Sequence, residues 1–92
     1  MPYIVQERRE SINQQLDSFL LWLEREADPK FLAGDLNYAF TRIIRAAYDI
    51  PETARYAQYN EAIGVLEACK LELYRMFVAP YEEQKRFDNG DV

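Results

Sequence analysis

The fold is decided by one stretch of the chain, which reads Tyr59-Asn-Glu-Ala-Ile-Gly-Val-Leu-Glu-Ala-Cys-Lys-Leu-Glu-Leu-Tyr-Arg-Met-Phe-Val78. It contains no proline, and its apolar residues recur at steps of three and four, which predicts one uninterrupted amphipathic helix. The residues predicted to form its buried stripe are Ala62, Ile63, Leu66, Cys69, Leu73, Met76 and Phe77.

Working outward from this helix, turn and cap signals predict three more. The first begins at Gln6 and ends before Asp28-Pro29, because the residue before a proline avoids the α region. The second is capped by Gly34 or Asp35 and stops at Asp49-Ile50-Pro51. The central helix is predicted over residues 52–78, with Pro51 at its start, and a short fourth helix over residues 80–87.

These elements predict an all-α fold, a small antiparallel helical bundle or hairpin, in a single domain of residues 1–92. Residues 1–5 are predicted to be an extended arm, since proline and β-prone residues disfavour helix there, and residues 88–92 a frayed tail. The other two long helices carry apolar stripes of their own, predicted to be buried. They are Ile12, Leu16, Phe19, Leu20 and Leu23 in the first helix, and Leu36, Ala39, Phe40, Ile43 and Ala47 in the second.

The composition indicates that the chain associates with copies of itself. Hydrophobic residues make up 49% of the 92 residues and aromatic residues 14%, yet a chain of this length buries only about 60–65% of its unfolded surface. Oligomerisation is a common way to stabilise so small a fold, and a tightly packed monomer is the alternative. Trp22 beside Leu21 is the first candidate for a subunit contact.

Charge and residue usage exclude several classes of function. The net charge of −5 argues against duplex nucleic acid as a partner, but a small anionic ligand needs only a few well-placed cations. Histidine is absent, and the lone thiol of Cys69 is expected to be buried and inert. We therefore expect no catalytic residues, metal or cofactor. With no apolar run of membrane-spanning length and no signal-peptide pattern, we expect a soluble protein of the cytoplasm.

The chain contains several distinctive short motifs. They are Pro2-Tyr3-Ile4, Glu7-Arg8-Arg9, Gly34-Asp35-Leu36-Asn37-Tyr38-Ala39, Tyr59 to Glu67, Lys70 to Arg75, Ala79-Pro80-Tyr81-Glu82 and Asn89-Gly90-Asp91-Val92. These motifs resemble a known family of small proteins carried by tailed phages and prophages, described as a domain of unknown function. The resemblance weakens between Ser11 and Phe31. It implies an all-helical fold and a viral origin, which would place the protein in the host cytoplasm, and it implies no chemistry.

The leading functional hypothesis is a non-enzymatic phage accessory protein that binds a small anionic ligand, such as a nucleotide immune signal, where subunits meet. Arginine and lysine would meet phosphate, tyrosine would stack on a base, and asparagine would read polar edges. The candidate ligand-binding residues are Asn37, Tyr38, Arg42, Arg45, Tyr59, Asn60, Lys70 and Arg75.

Three alternatives stay open at this point. If the second and third helices were antiparallel, three polar residues would meet, namely Asn37, Asn60 and Glu67. They would form either a pocket wall or a buried network that sets helix register. The protein would otherwise be an interaction module that binds a host or phage protein through Leu21, Trp22 and its N-terminal tripeptide. A metal-dependent nucleotide hydrolase is the third alternative, but the spacing of its acids does not converge on one site.

Overall fold

The computed structural model describes residues 4–91 and contains helices and no strands over that range, which confirms the predicted all-α class. Its elements are α1 (Gln6–Glu26), α2 (Leu32–Tyr48), α3 (Tyr56–Leu73), a π-helical turn (Tyr74–Val78) and α4 (Ala79–Asn89). The chain divides into two compact units, one holding α1 and α2 up to Arg55 and the other beginning at Tyr56. The single domain of the sequence analysis stays a prediction.

The first unit is a hairpin in which residues 27–31 join α1 to α2. Helix α1 begins at Gln6, as predicted, after Val5 in an extended conformation, and it ends at Glu26, just before the predicted Asp28-Pro29 stop. The rest of the predicted N-terminal arm, residues 1–3, lies outside the described residues. No Cα atom of α1 lies within 8 Å of one of α2. Because closely packed helices have axes only about 8–10 Å apart, the two helices are splayed.

Helix α2 starts earlier than the predicted cap at Gly34 or Asp35, so that prediction is wrong. The backbone N–H of Lys30 donates to the Asp28 side chain at 2.9 Å, and that of Phe31 donates to the Asp28 carbonyl at 2.8 Å. The helix begins directly after this turn, at Leu32, and the Asp35 N–H donates to the Phe31 carbonyl. Asp35 is therefore in the first helical turn, where its charge still suits the dipole.

A tight corner after α2 delays the start of α3 from the predicted residue 52 to Tyr56. Asp49 ends α2 in the left-handed region, with φ +53°, and its carbonyl accepts from the N–H groups of Thr53 and Ala54. The Thr53 hydroxyl also donates to the Asp49 carboxylate. These bonds satisfy the backbone in a turn, so residues 50–55 do not join the helix.

The second unit is helical in three consecutive segments, and the predicted short C-terminal helix is present as α4, joined to α3 by the π-helical turn. Leu73, Val78 and Ala79 all have right-handed helical dihedral angles, and the Ala79 N–H donates to the Tyr74 carbonyl five residues back. Proline lacks an N–H and its ring clashes with the carbonyl four residues earlier. The π-helical turn directly before Pro80 shifts this register, and the helix continues to Asn89.

The predicted buried stripes are largely exposed in the structure. Among residues 4–91, Ala62 is the one buried hydrophobic residue, at 3% exposure. Phe19, Leu23, Leu36 and Ala39 are half-buried. The predicted stripe residues that are instead exposed are Ile12, Leu16, Leu20, Phe40, Ile43, Ala47, Ile63, Leu66, Cys69, Leu73, Met76 and Phe77. In the splayed hairpin the exposed stripe residues of α1 and α2 have no facing helix close enough to cover them.

Candidate functional site

A concave surface lies between the two helices of the hairpin. This apolar cleft has a volume of about 680 Å³ and is lined from α1 by Gln15, Leu16, Phe19 and Trp22, and from α2 by Asp35, Tyr38, Ala39, Arg42 and Ile43. The volume falls within the range of about 300–1,000 Å³ that is typical of binding pockets.

Aromatic rings form the α1 wall of the apolar cleft. Phe19 and Trp22 stack with centroids 5.8 Å apart and ring planes inclined by 14°. They are three residues apart on the same helical face, which brings their side chains together. Trp22 keeps 44% of its surface exposed. The residue singled out from the sequence as a contact candidate therefore lies on the cleft, whereas Leu21 beside it does not line it.

The α2 wall of the apolar cleft carries two of the predicted ligand-binding residues, Tyr38 and Arg42. The Arg42 Nη1 donates to the Tyr38 hydroxyl at 3.1 Å, and the guanidinium carbon lies 5.8 Å from the centroid of the Tyr38 ring. This is a cation–π arrangement between residues one helical turn apart. Tyr38 remains 66% exposed, so a flat face is available beside a positive charge.

Arg42 and Arg45, predicted to clamp a phosphate, do line one small cavity at the end of α2. This corner cleft has a volume of about 280 Å³ and also includes the acids Asp49 and Glu52. Arg45 Nε donates to the Ile50 carbonyl at 3.2 Å. Two acids balance the two bases, and the negative end of the α2 dipole lies here. The corner cleft is therefore a poor site for an anion.

The other predicted ligand-binding residues are distributed over both units of the chain. Asn37 accepts a hydrogen bond from the Thr41 hydroxyl at 3.3 Å on its own helix. Tyr59, Asn60, Lys70 and Arg75 belong to the second unit, and about 22 Å of helix separates Asn60 from Arg75 at 1.5 Å per residue. One small ligand does not reach both from this helix. The meeting of Asn37, Asn60 and Glu67 stays a prediction.

The two candidate ligand-binding cations of the second unit are each paired with an acid three residues earlier on the same helix. Lys70 lies 3.1 Å from Glu67, and Arg75 lies 2.6 Å from Glu72. Exposed pairs of this kind stabilise a helix by about 0.2–0.5 kcal/mol. Their charge is compensated locally, which leaves less of it for a phosphate.

A polar interaction joins the π-helical turn to α4. The Tyr74 hydroxyl donates to the Glu82 carboxylate at 3.1 Å. This hydrogen bond, together with the negative charge of Glu82, raises the pKa of Tyr74 above its usual value, because the phenolate would face the carboxylate. Tyr74 is 51% exposed, so it lines no enclosed site.

The described residues contain neither a metal-binding cluster nor a membrane-spanning helix. Within residues 4–91, no group of three or more cysteine, aspartate or glutamate side chains is arranged to hold a metal ion. No helix in the same range is both long enough and apolar enough to cross a lipid bilayer.

An open cleft is lined by four residues predicted to be buried, namely Leu16, Phe19, Ala39 and Ile43. Their helical spacing gave the correct face of each helix but not what lies opposite that face. Asp35, which was predicted only as a helix cap, also lines the cleft. The sequence feature that could have indicated the cleft is the width of the apolar surface of α1, because Trp22 extends that surface beyond one stripe.

The fold and the apolar cleft define a small all-helical protein with an open, aromatic-lined groove on a splayed hairpin. The chain belongs to the family described as Domain of unknown function (DUF6899), which matches residues 1–92. Comparison with curated proteins found no match, and comparison with solved structures found none.

Proposed function

We propose that this protein is a non-enzymatic interaction module that binds an amphipathic helix of a protein partner in the apolar cleft. The single observation that carries the proposal is the cleft itself, whose aromatic wall leaves Trp22 44% exposed. Helix-in-groove recognition uses grooves of this kind, into which a partner helix inserts apolar anchors at steps of three and four residues. Trp and Tyr are also the side chains most enriched among residues that dominate binding energy.

The exposed apolar surface supports this function beyond the cleft. Leu20, Leu21 and Phe40 on the same hairpin are 52%, 45% and 51% exposed. Contiguous apolar surface of more than a few hundred Å² with a polar rim is typical of protein-binding sites. The resemblance to phage and prophage proteins supports a setting in which the module acts on a host or phage protein.

Site-specific photo-crosslinking in intact cells tests the proposal. We would replace Tyr38 with a photoreactive phenylalanine analogue and, as a matched control, place the same analogue at Asp17, an exposed position of α1 outside the cleft. We expect adducts from position 38 that map to apolar faces of helical segments and that disappear with Ile43→Glu. If position 38 gives no more protein adduct than position 17, the proposal is wrong.

A small anionic ligand, including a nucleotide signal, is the second candidate function. The observation that favours it is Tyr38, exposed beside Arg42 on a cleft large enough for a nucleotide. A base would stack on the tyrosine ring while the guanidinium pairs with phosphate. Titration calorimetry against cyclic and linear nucleotides tests it, with Arg42→Ala as the impaired variant and Arg25→Ala as the control. Absence of heat across the panel would eliminate this candidate.

A further inference from the structure

We infer that the occupant of the apolar cleft is a second copy of this chain, packed so that the two α2 helices run antiparallel. Asp35 of each copy then pairs with Arg42 of the other. The inference rests on the proposed function, because it names the partner of the same cleft.

Two opposite charges lie on the cleft wall of α2. Asp35 and Arg42 both line the cleft, and residues seven apart on a helix differ in direction by only about 20°. They are separated by about 10.5 Å along the axis, too far to pair within the helix. Among residues 4–91, neither forms an ion pair, and Arg42 donates instead to the neutral hydroxyl of Tyr38. Arg42 shares the corner cleft with Asp49 and Glu52 but forms no ion pair with either, so both Asp35 and Arg42 can pair with an opposite charge from outside.

Two-fold symmetry between two copies of the chain would bring these opposite charges together. A two-fold dimer brings the same surface of both subunits together, so an acid and a base on one face each meet the opposite charge of the other copy. The two-fold axis would pass between Tyr38 and Ala39, midway between Asp35 and Arg42. Ala39 is small and half-buried, which permits a close approach of the two helices. A different partner helix would need a base opposite Asp35 and an acid opposite Arg42, seven residues apart. A second copy running antiparallel supplies both.

The exposed apolar area around the cleft is close to what a small specific interface requires. Trp22, Tyr38, Leu16 and Ile43 are 44%, 66%, 40% and 55% exposed around the cleft. With aromatic side chains burying about 150–250 Å² each, these four offer on the order of 300 Å² of apolar surface in each copy. Two copies bring about 600 Å² together. That is close to the apolar share of an interface of about 1,200 Å², the lower end for a specific complex.

Charge reversal on the full chain tests this pairing. Sedimentation velocity over a wide concentration range would measure the dimer constant of the wild type, Asp35→Arg, Arg42→Glu and the double variant. Each single reversal places like charges opposite each other twice, so we expect the dissociation constant to rise at least about tenfold. The double variant exchanges the two charges and re-forms both pairs, so we expect its constant to return to within about threefold of the wild type.

Two controls separate pairing from other effects. Asp17→Arg combined with Arg25→Glu makes the same changes of charge at α1 positions that do not line the cleft, and we expect no effect on the dimer. Circular dichroism checks that Asp35→Arg does not unwind the start of α2. Asp35→Asn, which removes the charge without reversing it, gives a milder version of the same test and should weaken the dimer by about threefold or more.

The outcomes separate this inference from the function on which it rests. A monomeric wild type, single reversals without effect, or a folded double variant that does not recover each overturns the inference. Photo-crosslinks from position 38 to another polypeptide, with a monomeric wild type, would retain the helix-binding function and remove the second copy as partner. Absence of all adducts would remove both.

Discussion

The Tyr74 hydroxyl and the Glu82 carboxylate are joined by a hydrogen bond of 3.1 Å across eight residues of one helix. In a regular α-helix eight residues correspond to a rise of about 12 Å. Tyr74 is the first residue of the π-helical turn, and Glu82 is the acidic residue in the first turn of α4. It therefore links the helical segments on the two sides of the register change before Pro80.

Titration of Tyr74 is the first prediction. Its pKa is raised in the folded protein because the hydroxyl donates to a carboxylate whose charge disfavours the phenolate. The stabilisation by this bond is fully present below the unfolded pKa of about 10 and is lost as the pH rises through the folded pKa. We expect Glu82→Gln to lower the pKa of Tyr74 and to reduce this alkaline loss of stability.

The measurement is tyrosinate absorbance during alkaline titration, with Tyr74→Phe used to assign the signal. Glu83→Gln is the matched control, because Glu83 pairs with Arg86 at 2.7 Å and does not bond to Tyr74. Identical titration curves for the wild type and Glu82→Gln would contradict the assigned cause.

Replacement of Pro80 is the second prediction. In a helix interior proline is about 3 kcal/mol less favourable than alanine, and Pro80 follows residues that are already helical. The π-helical turn absorbs part of this cost, so we expect Pro80→Ala to raise the free energy of unfolding by about 1–3 kcal/mol in urea titrations. Pro29→Ala, in the turn before α2, is the control and should give no such gain. If Pro80→Ala is neutral or destabilising, the helix does start afresh at this residue.

The corner after α2 supplies the third prediction. Asp49 holds φ at +53° and accepts from the Thr53 hydroxyl, and aspartate tolerates this region better than alanine. We expect Asp49→Ala to destabilise the protein by about 1–2 kcal/mol, through the loss of the bond and the added strain. Asp49→Asn keeps both an acceptor and the left-handed preference, so it should stay close to the wild type. Equal losses for the two variants in chemical denaturation would contradict this explanation.

Labelling of Cys69 is the fourth prediction. The thiol is exposed in the structure, although its position in an apolar stripe predicted burial. We expect a disulfide-forming reagent to modify Cys69 in the native protein at a rate within about tenfold of that in denaturant, since access is one of the factors that control thiol reactivity. Cys69→Ser, which should not react, provides the baseline. Protection by several orders of magnitude under native conditions would show that the thiol is covered.

Local signals predicted those parts of the fold that depend on neighbouring residues. The start of α1 at Gln6 and its end before Asp28-Pro29 follow from backbone preferences over a few residues. The pairs of Lys70 with Glu67 and of Arg75 with Glu72 follow from a spacing of three along one helix. Where a side chain reached across a turn, as from Asp28 or Asp49, the predicted helix starts were wrong by a few residues. Competing hydrogen bonds of this kind are weakly encoded in periodicity.

The sequence by itself determined that the chain is helical, which face of each helix is apolar, and which charges pair within a turn, because all three depend on spacings of three and four residues. Only the tertiary structure decided that α1 and α2 splay, that Trp22, Tyr38 and Ile43 line a cleft instead of a core, and that Arg45 turns to the Ile50 carbonyl. The physical reason is that burial depends on the distance between helices that are remote in sequence. The same apolar stripe therefore fits a closed core and an open binding surface equally well.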